Sequence, residues 1–193
     1  MDFPVHTIDT APDAARPTLE AALKGYGFVP NLLGMMANAP ALVSGYASLS
    51  RIFDETSLTP AERQVVLLTT SFENACAYCM AAHSTIAAMQ RIPAGVVDAL
   101  RSGDSLPDDR LEALRRFTVA VVNTRGWPTT DVVQAFLDAG FGSQQVLEVV
   151  LGVSLKTLSN YANHLAETPV DGAFSSAAWT DPRPDASPTQ PRR

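Results

Sequence analysis

The sequence predicts an all-α protein, and three observations point to that fold class. Apolar residues recur at helical spacing along most of the chain, as Leu42, Tyr46, Leu49 and Phe53 show. Proline and glycine fall where helices start or end, and no segment has the strict alternation of a half-buried strand. Of the 193 residues, 46% are hydrophobic, which suits one globular domain with a sizeable core.

These signals place the helices in chain order. Thr59 can cap a helix whose first turn holds Pro60. Pro93 starts a short helix, Gly103 ends it, and Ser143 is the expected cap of the last long helix. The approximate ranges are 40–54, 60–72, 76–90, 93–100, 108–125, 129–139 and 144–165. The first twelve or so residues are expected to be extended.

The composition changes near residue 168, which predicts a boundary. Residues 1–167 are expected to form a single helical domain, and 168–193 an extended, proline-rich tail. Phe174 and Trp179 are large aromatic residues in this polar segment. They are expected to anchor the tail, either to its own domain or to a neighbouring subunit.

Charge and motif content exclude several classes of function. The net charge is −6 and no basic cluster is present, which argues against nucleic-acid partners and a polybasic membrane-binding helix. No apolar run approaches the ~20 residues of a membrane span, and the start has no signal-peptide pattern. No glycine-rich phosphate loop occurs, so no nucleotide, flavin or other cofactor is expected. A cytoplasmic location is the working expectation.

The two cysteines form one motif, Cys76-Ala77-Tyr78-Cys79, with His83 four residues later. At about 100° per residue, Cys76, Cys79 and His83 fall within ~60° of one helix face. If Asn74 caps a helix that Cys76 opens, free amides at its N-terminus stabilise a thiolate there. His83 can then accept or shuttle a proton.

A thiolate beside a second thiol is the minimum for two-electron peroxide reduction. The first sulfur becomes a sulfenic acid, the second condenses with it to a disulfide, and an external dithiol restores both. Two other interpretations remain open from the residues alone. Both cysteines can be small buried hydrophobes. A zinc site would need His164 or His6 as an additional ligand, and no metal is the preferred expectation.

The surrounding sequence resembles the carboxymuconolactone decarboxylase and alkyl hydroperoxidase D (AhpD-like) superfamily, and its peroxidase-related branch most closely. Four segments carry the resemblance: residues 58–64 (LTPAERQ), 76–83 (CAYCMAAH), 27–32 (GFVPNL) and 157–164 (TLSNYANH). The similarity extends over most of the chain up to about residue 170. It implies an all-α helical bundle with a central antiparallel helix pair, assembled into homo-oligomers.

The resemblance also implies an activity and roles for the site residues. Cys79 would be the peroxidatic cysteine, Cys76 the resolving cysteine, and His83 part of a proton relay. The protein would then be a peroxidase that reduces alkyl hydroperoxides. Its reductant would be a dithiol, either a lipoyl group or a thioredoxin-like protein.

The sequence departs from the family pattern at one position. The relay glutamate twelve residues before the first cysteine is replaced by Gln64, which cannot exchange a proton at neutral pH. Glu73, one turn before Cys76, is the candidate substitute, and Glu62 is the other nearby carboxylate. The positions of Glu73 and Glu62 decide whether either carboxylate can take the place of the glutamate that Gln64 replaces.

Three alternatives to a peroxidase remain. A thiol–disulfide oxidoreductase acting on proteins would need an exposed Cys76. A redox-responsive oligomer without enzymatic activity would hold an unreactive Cys79. A lactone decarboxylase is less favoured, because that branch does not need paired cysteines.

Overall fold

The computed structural model describes residues 2–184, which form nine α-helices, one 3-10 helix and no strand. The prediction of an all-α fold is confirmed. The α-helices are α1 (Arg16–Tyr26), α2 (Asn31–Met36), α3 (Pro40–Asp54), α4 (Pro60–Glu73), α5 (Ala77–Met89), α6 (Ala94–Ser102), α7 (Asp109–Asn123), α8 (Thr130–Asp138) and α9 (Ser143–Ala166). The 3-10 helix spans Gly172–Ala177.

Each predicted helix is present, and two helices were not predicted. The unpredicted ones are α1 and α2, which precede the first clear apolar stripe. α2 has only six residues, too few for a helical period to emerge from the sequence. α9 begins one residue earlier than expected, with Gly142 rather than Ser143 at its N-cap.

α4 is the central helix, and its start is defined by local chemistry. Thr59 and Glu62 form a capping box: the Thr59 amide donates to Glu62 Oε2 at 2.7 Å, and the Glu62 amide donates to Thr59 Oγ1 at 3.2 Å. Pro60 occupies the first turn, where its missing N–H costs nothing. α4 packs against α5, α7 and α9, so its side chains are buried on nearly every side.

The chain reverses sharply between α4 and α5. The amide of Cys76 donates to the Ser71 carbonyl at 2.9 Å, and that of Ala75 to the Phe72 carbonyl at 2.9 Å. This is the Schellman pattern, with Ala75 in the left-handed region at φ 54°. α5 therefore runs back along α4, antiparallel to it.

Two hydrophobic clusters hold the helices together. The larger one surrounds α4 and takes in α6, α7, α8 and α9. The second joins α1, α2 and α3 to α5, and it contains Cys76 and Cys79. Gly152 lets α9 lie close to the core, because a Cβ there would meet atoms of Phe53 and Val66 at 2.7 Å. The polar residues that follow Gly152 on α9 are thereby brought to α5.

The described part of the C-terminal segment packs against the same chain. Phe174 is buried, and its ring lies edge-on to Phe28 and Tyr78. Trp179 Nε1 donates to the Arg101 carbonyl at 2.8 Å, and its ring packs on Phe72. Both aromatic residues thus anchor the segment to its own domain. Residues 185–193 of the predicted tail lie outside the described residues.

A membrane-spanning helix would need a long, strongly apolar stretch. No helix within residues 2–184 has the length and hydropathy for that.

Candidate active site

The site begins at the N-terminus of α5. Cys76 is the N-cap residue in an extended conformation, and its carbonyl accepts the amide of Met80 at 3.0 Å. The expectation that Asn74 caps this helix is wrong. Asn74 ends α4 instead, and its side chain donates to Asn160 Oδ1 at 3.0 Å, because the tight turn points it towards α9.

Both cysteines are free thiols, each only 1% exposed. α9 supplies the polar groups around them. The side-chain amide of Asn163 lies 3.3 Å from the sulfur of Cys79 and 3.9 Å from that of Cys76. Ser159 Oγ lies 3.7 Å from the sulfur of Cys79. The two sulfurs therefore share one amide donor, which places them side by side.

The surroundings of the two thiols shift their pKa values in opposite directions. Burial alone raises the pKa of Cys79, but a hydrogen bond from Cys76 and the charge of Lys156 outweigh it. With further hydrogen bonds from α9, the pKa of Cys79 falls to about 5. The same hydrogen bond to Cys79, together with burial, raises the pKa of Cys76 well above its ordinary value. Cys79 is thus the thiolate at neutral pH, and Cys76 is the thiol that donates to it.

His83 is held between two polar side chains. Its Nδ1 lies 3.0 Å from Gln64 Oε1, and its Nε2 lies 2.8 Å from Lys156 Nζ. An ammonium can only donate and an amide oxygen can only accept, so Nε2 accepts from Lys156 and Nδ1–H donates to Gln64. Burial and the charge of Lys156 hold the pKa of His83 well below its usual range. His83 is therefore a neutral imidazole with a defined tautomer.

Lys156 is the site residue that sequence reasoning missed. It is 1% exposed, and within residues 2–184 it forms no salt bridge with a carboxylate. Burial lowers the pKa of Lys156, but the negative charge of Cys79 more than compensates, and the pKa is raised overall. A signal was present in the sequence: from this position on, the inward face of α9 changes from apolar residues to polar ones. They are Lys156, Ser159, Asn160 and Asn163.

Neither Glu62 nor Glu73 contacts the polar group around Cys79. Glu62 is buried in the capping box and pairs with Arg110, its Oε1 lying 3.1 Å from Arg110 Nε. Glu73 accepts from the side chain of Asn123 on α7 at 2.9 Å. Gln64, in contrast, contacts His83 directly. The position of the family glutamate is therefore next to the imidazole, but an amide stands there.

Tyr78, between the two cysteines, ties three segments together. Its hydroxyl donates to Asp171 Oδ2 at 2.6 Å and accepts the amide of Leu32 at 3.2 Å. Asp171 also accepts the amide of Asn31 at the start of α2. Burial and the bond to Asp171 raise the pKa of Tyr78, so the group remains a phenol. Through this contact the C-terminal segment is fastened over the site.

A cavity of about 490 Å³ opens onto Cys79 and the polar side chains around it. Cys79, His83, Gln64 and Lys156 line it, whereas Cys76 lies behind the lining. Tyr26 and Met89 stand at its open side, since they are 61% and 78% exposed. Much of the remaining wall is aromatic: Phe28, Tyr46, Phe53, Tyr78 and Phe174. The cavity can admit an organic molecule and bring it to the sulfur of Cys79.

A metal site would need several ligands brought together. Within residues 2–184, no group of three or more histidine, cysteine, aspartate or glutamate residues could hold a metal ion. His164 is exposed at the outer face of α9, beside Tyr161. His6 bonds to Thr10 and Asn38 near the N-terminus. The additional zinc ligand considered from the sequence is therefore not supplied by either histidine.

Comparison with solved structures identifies the fold. The chain is similar to a peroxidase-related protein with an alkylhydroperoxidase AhpD core from Ralstonia eutropha, with a TM-score of 0.80 and 22% identity over 89% of this chain and 93% of that one. It is similar to a peroxidase-related protein from Silicibacter sp. TM1040, with a TM-score of 0.77 and 17% identity over 90% and 92% of the two chains.

A third similar structure is an enzyme. It is a cysteine-to-alanine variant of the debrominase Bmp8 in complex with 2,3,4-tribromopyrrole, with a TM-score of 0.76 and 15% identity over 92% of this chain and 95% of that one. No protein-family profile and no curated protein matches the chain. The chain therefore has the AhpD-like fold, as the sequence resemblance predicted.

Proposed function

We propose that this protein is a thiol-dependent peroxidase in which Cys79 reduces an organic hydroperoxide and Cys76 resolves the product. One observation carries the proposal: the low-pKa thiolate of Cys79 lines the cavity, and the thiol of Cys76 lies directly behind it. A substrate entering the cavity meets the nucleophile first. The second sulfur is placed to react only afterwards.

The reaction has two oxidative steps. The Cys79 thiolate attacks the terminal peroxide oxygen, the O–O bond breaks, and the departing alkoxide takes a proton to become an alcohol. Cys79 is now a sulfenic acid. The Cys76 thiol attacks its sulfur, releases water and leaves a disulfide. A dithiol then reduces this disulfide by exchange and is itself oxidised.

The pair of Lys156 and His83 supports the first step. The Lys156 ammonium stabilises the attacking thiolate and lies next to the place where the alkoxide forms. It holds protons that it can donate, and His83 accepts one of its hydrogen bonds. In this proposal the buried ammonium and imidazole provide the proton relay, so Gln64 need only orient His83.

The reductant is proposed to be a small dithiol such as a lipoyl group. Both cysteines are 1% exposed, so the disulfide is reached through the cavity rather than from the protein surface. This burial also counts against an oxidoreductase of protein disulfides, which would need Cys76 exposed. A thioredoxin-like protein would require the cavity to open further.

The test is dithiol-dependent consumption of cumene hydroperoxide, with Cys79→Ser and Cys76→Ser as variants. We expect Cys79→Ser to lose turnover. Cys76→Ser should perform one turnover and accumulate a sulfenic acid on Cys79, trapped by dimedone and located by mass spectrometry. Ser44→Cys, which adds an exposed thiol on α3 and leaves the pair intact, controls for nonspecific thiol reactivity. Equal turnover in wild type and Cys79→Ser would overturn the proposal.

Reductive dehalogenation is the second candidate. The aromatic cavity beside Cys79 and the similarity to a debrominase bound to 2,3,4-tribromopyrrole favour it. In that reaction a carbon–bromine bond becomes carbon–hydrogen, both thiols become a disulfide, and hydrogen bromide is released. Bromide release from a brominated pyrrole or phenol, with the same variants, distinguishes this activity from peroxide reduction.

A homo-oligomer in the cytoplasm is proposed as the working form. The outer face of α9 exposes apolar side chains, including Leu147, Tyr161 and Leu165, which a second copy could cover. A reducing compartment would also keep both thiols in the reduced state. Analytical ultracentrifugation and cell fractionation test these two points.

A further inference from the structure

Lys156 carries a buried charge whose compensation depends on the redox state of the site. Its side chain is 1% exposed, and within the described chain its charge has no carboxylate partner. An unpaired ammonium in such a place is costly, whereas a paired one is tolerated. Some other negative group must therefore stabilise it.

The titratable and polar groups that line the cavity with Lys156 come from four neighbouring helices, α1, α3, α4 and α5. α3 contributes the phenol of Tyr46, α4 contributes the neutral amide of Gln64, and α5 contributes Cys79 and neutral His83. Burial raises the pKa of Tyr46, so this phenol carries no charge at neutral pH.

Asp54, the last residue of α3, also lines the cavity, but its side chain is largely exposed and pairs with Arg63 at 3.8 Å. Tyr26 of α1 lines the open side, and burial raises its pKa, so it is a neutral phenol. The thiolate of Cys79 is therefore the buried anion that remains among these groups.

Formation of the disulfide removes that anion. In the dithiol state the site holds one thiolate and one ammonium, so its net charge is zero. In the disulfide state both sulfurs are neutral and the ammonium of Lys156 stands alone. Gln64, 3.0 Å from His83, is a neutral amide and supplies no compensating charge. The oxidised site thus contains an uncompensated buried charge that the reduced site does not.

We propose that Lys156 sets the redox equilibrium of the Cys76–Cys79 pair, favouring the dithiol state and making the disulfide a strong oxidant. The inference rests on the proposed function, because it requires these cysteines to form a disulfide. Stabilisation of the reduced form is what makes a dithiol–disulfide pair oxidising. The disulfide would then be a short-lived intermediate that dithiols reduce readily, rather than a structural cross-link.

The chain offers a matched set of variants. Lys156→Met keeps the length of the side chain and removes its charge, and Lys156→Arg keeps the charge. Lys24→Met makes the same neutralising substitution on the exposed face of α1. Each protein is equilibrated in glutathione buffers, and the ratio of dithiol to disulfide is measured by alkylation and mass spectrometry. Peroxide is absent, so this readout is independent of turnover.

We expect Lys156→Met to shift the equilibrium towards the disulfide by about tenfold or more, whereas Lys156→Arg and Lys24→Met remain close to wild type. Wild type gives a second readout without any variant. Reduction to a thiol and a thiolate releases one proton when glutathione is the reductant. The equilibrium constant for reduction of the disulfide by glutathione should therefore rise about tenfold per pH unit above the pKa of Cys79, which is about 5.

Three results would overturn the inference. They are an unchanged equilibrium in Lys156→Met, a wild-type equilibrium that does not vary with pH, and the absence of any Cys76–Cys79 disulfide in oxidised glutathione. Failure of the proposed peroxidase activity can be distinguished from failure of this inference. A protein that shows the shifts but consumes no peroxide keeps this redox property and loses that activity.

Discussion

Lys156 Nζ lies 2.8 Å from His83 Nε2, so a cation from α9 is bonded to the imidazole of α5. This contact fixes the tautomer of His83 and directs its Nδ1–H to Gln64. It also places a positive charge near the sulfur of Cys79. The amide at position 64 is compatible with this arrangement, because His83 needs an acceptor there and not a proton donor.

Gln64→Glu should change the protonation of His83. A carboxylate near Nδ1 favours the imidazolium, so we expect the pKa of His83 to rise towards its ordinary value or above it. Titration of the His83 ring followed by NMR measures this shift. Gln90→Glu, at the exposed side of the same cavity, is the matched control and should leave the His83 titration unchanged. A His83 that does not titrate in Gln64→Glu would contradict the arrangement.

Cys79 should titrate far below an ordinary thiol. Its pKa is lowered in the folded state, so the thiolate stabilises the fold fully above the unfolded pKa near 9 and loses this effect as pH falls through about 5. Ultraviolet absorbance of the thiolate against pH measures the titration. Cys76→Ala removes the donor and should raise the pKa of Cys79, whereas Cys76→Ser retains a donor. Identical titrations in these two variants would refute the hydrogen bond between the sulfurs.

Ala75→Gly should stabilise the protein. Ala75 adopts φ 54°, a left-handed conformation that costs an L-residue about 1–2 kcal/mol. Glycine avoids this cost, but it loses more conformational entropy on folding, which cancels part of the gain. We expect a net gain of roughly 0.5–1 kcal/mol in the free energy of unfolding, measured in urea. Ala21→Gly, in the exposed part of α1, should instead destabilise by about 1 kcal/mol. A loss of stability in both variants would show that the turn is not strained.

Tyr78→Phe should loosen the C-terminal segment. The substitution leaves the buried carboxylate of Asp171 without its phenol donor and the amide of Leu32 without its acceptor. We expect a loss of about 1–3 kcal/mol in stability and faster proteolysis beyond residue 168. Tyr161→Phe, at a ring that is 56% exposed, is the control and should change neither. Unchanged proteolysis of Tyr78→Phe would mean that other contacts hold the segment.

The helices were predictable where their signals are local. Thr59, Pro60 and Glu62 lie within one turn of each other, so the start of α4 could be recognised from the sequence. The start of α5 was predicted at Cys76, one residue before the observed Ala77, but the capping residue was predicted wrongly. Asn74 could have capped α5 by sequence spacing, and only the packing of α9 shows that its side chain bonds elsewhere.

What the sequence determined by itself is the all-α fold and the closeness of Cys76 to Cys79 at the start of α5, because helical periodicity is a property of neighbouring residues. Only the tertiary structure decided which sulfur faces the cavity and which charge stands beside it. Lys156 follows His83 by 73 positions, and its ammonium arrives there because Gly152 lets α9 approach the core. Such long-range contacts depend on the packing of whole helices: the polar stretch of α9 is visible in the sequence, but the helix that it faces is not.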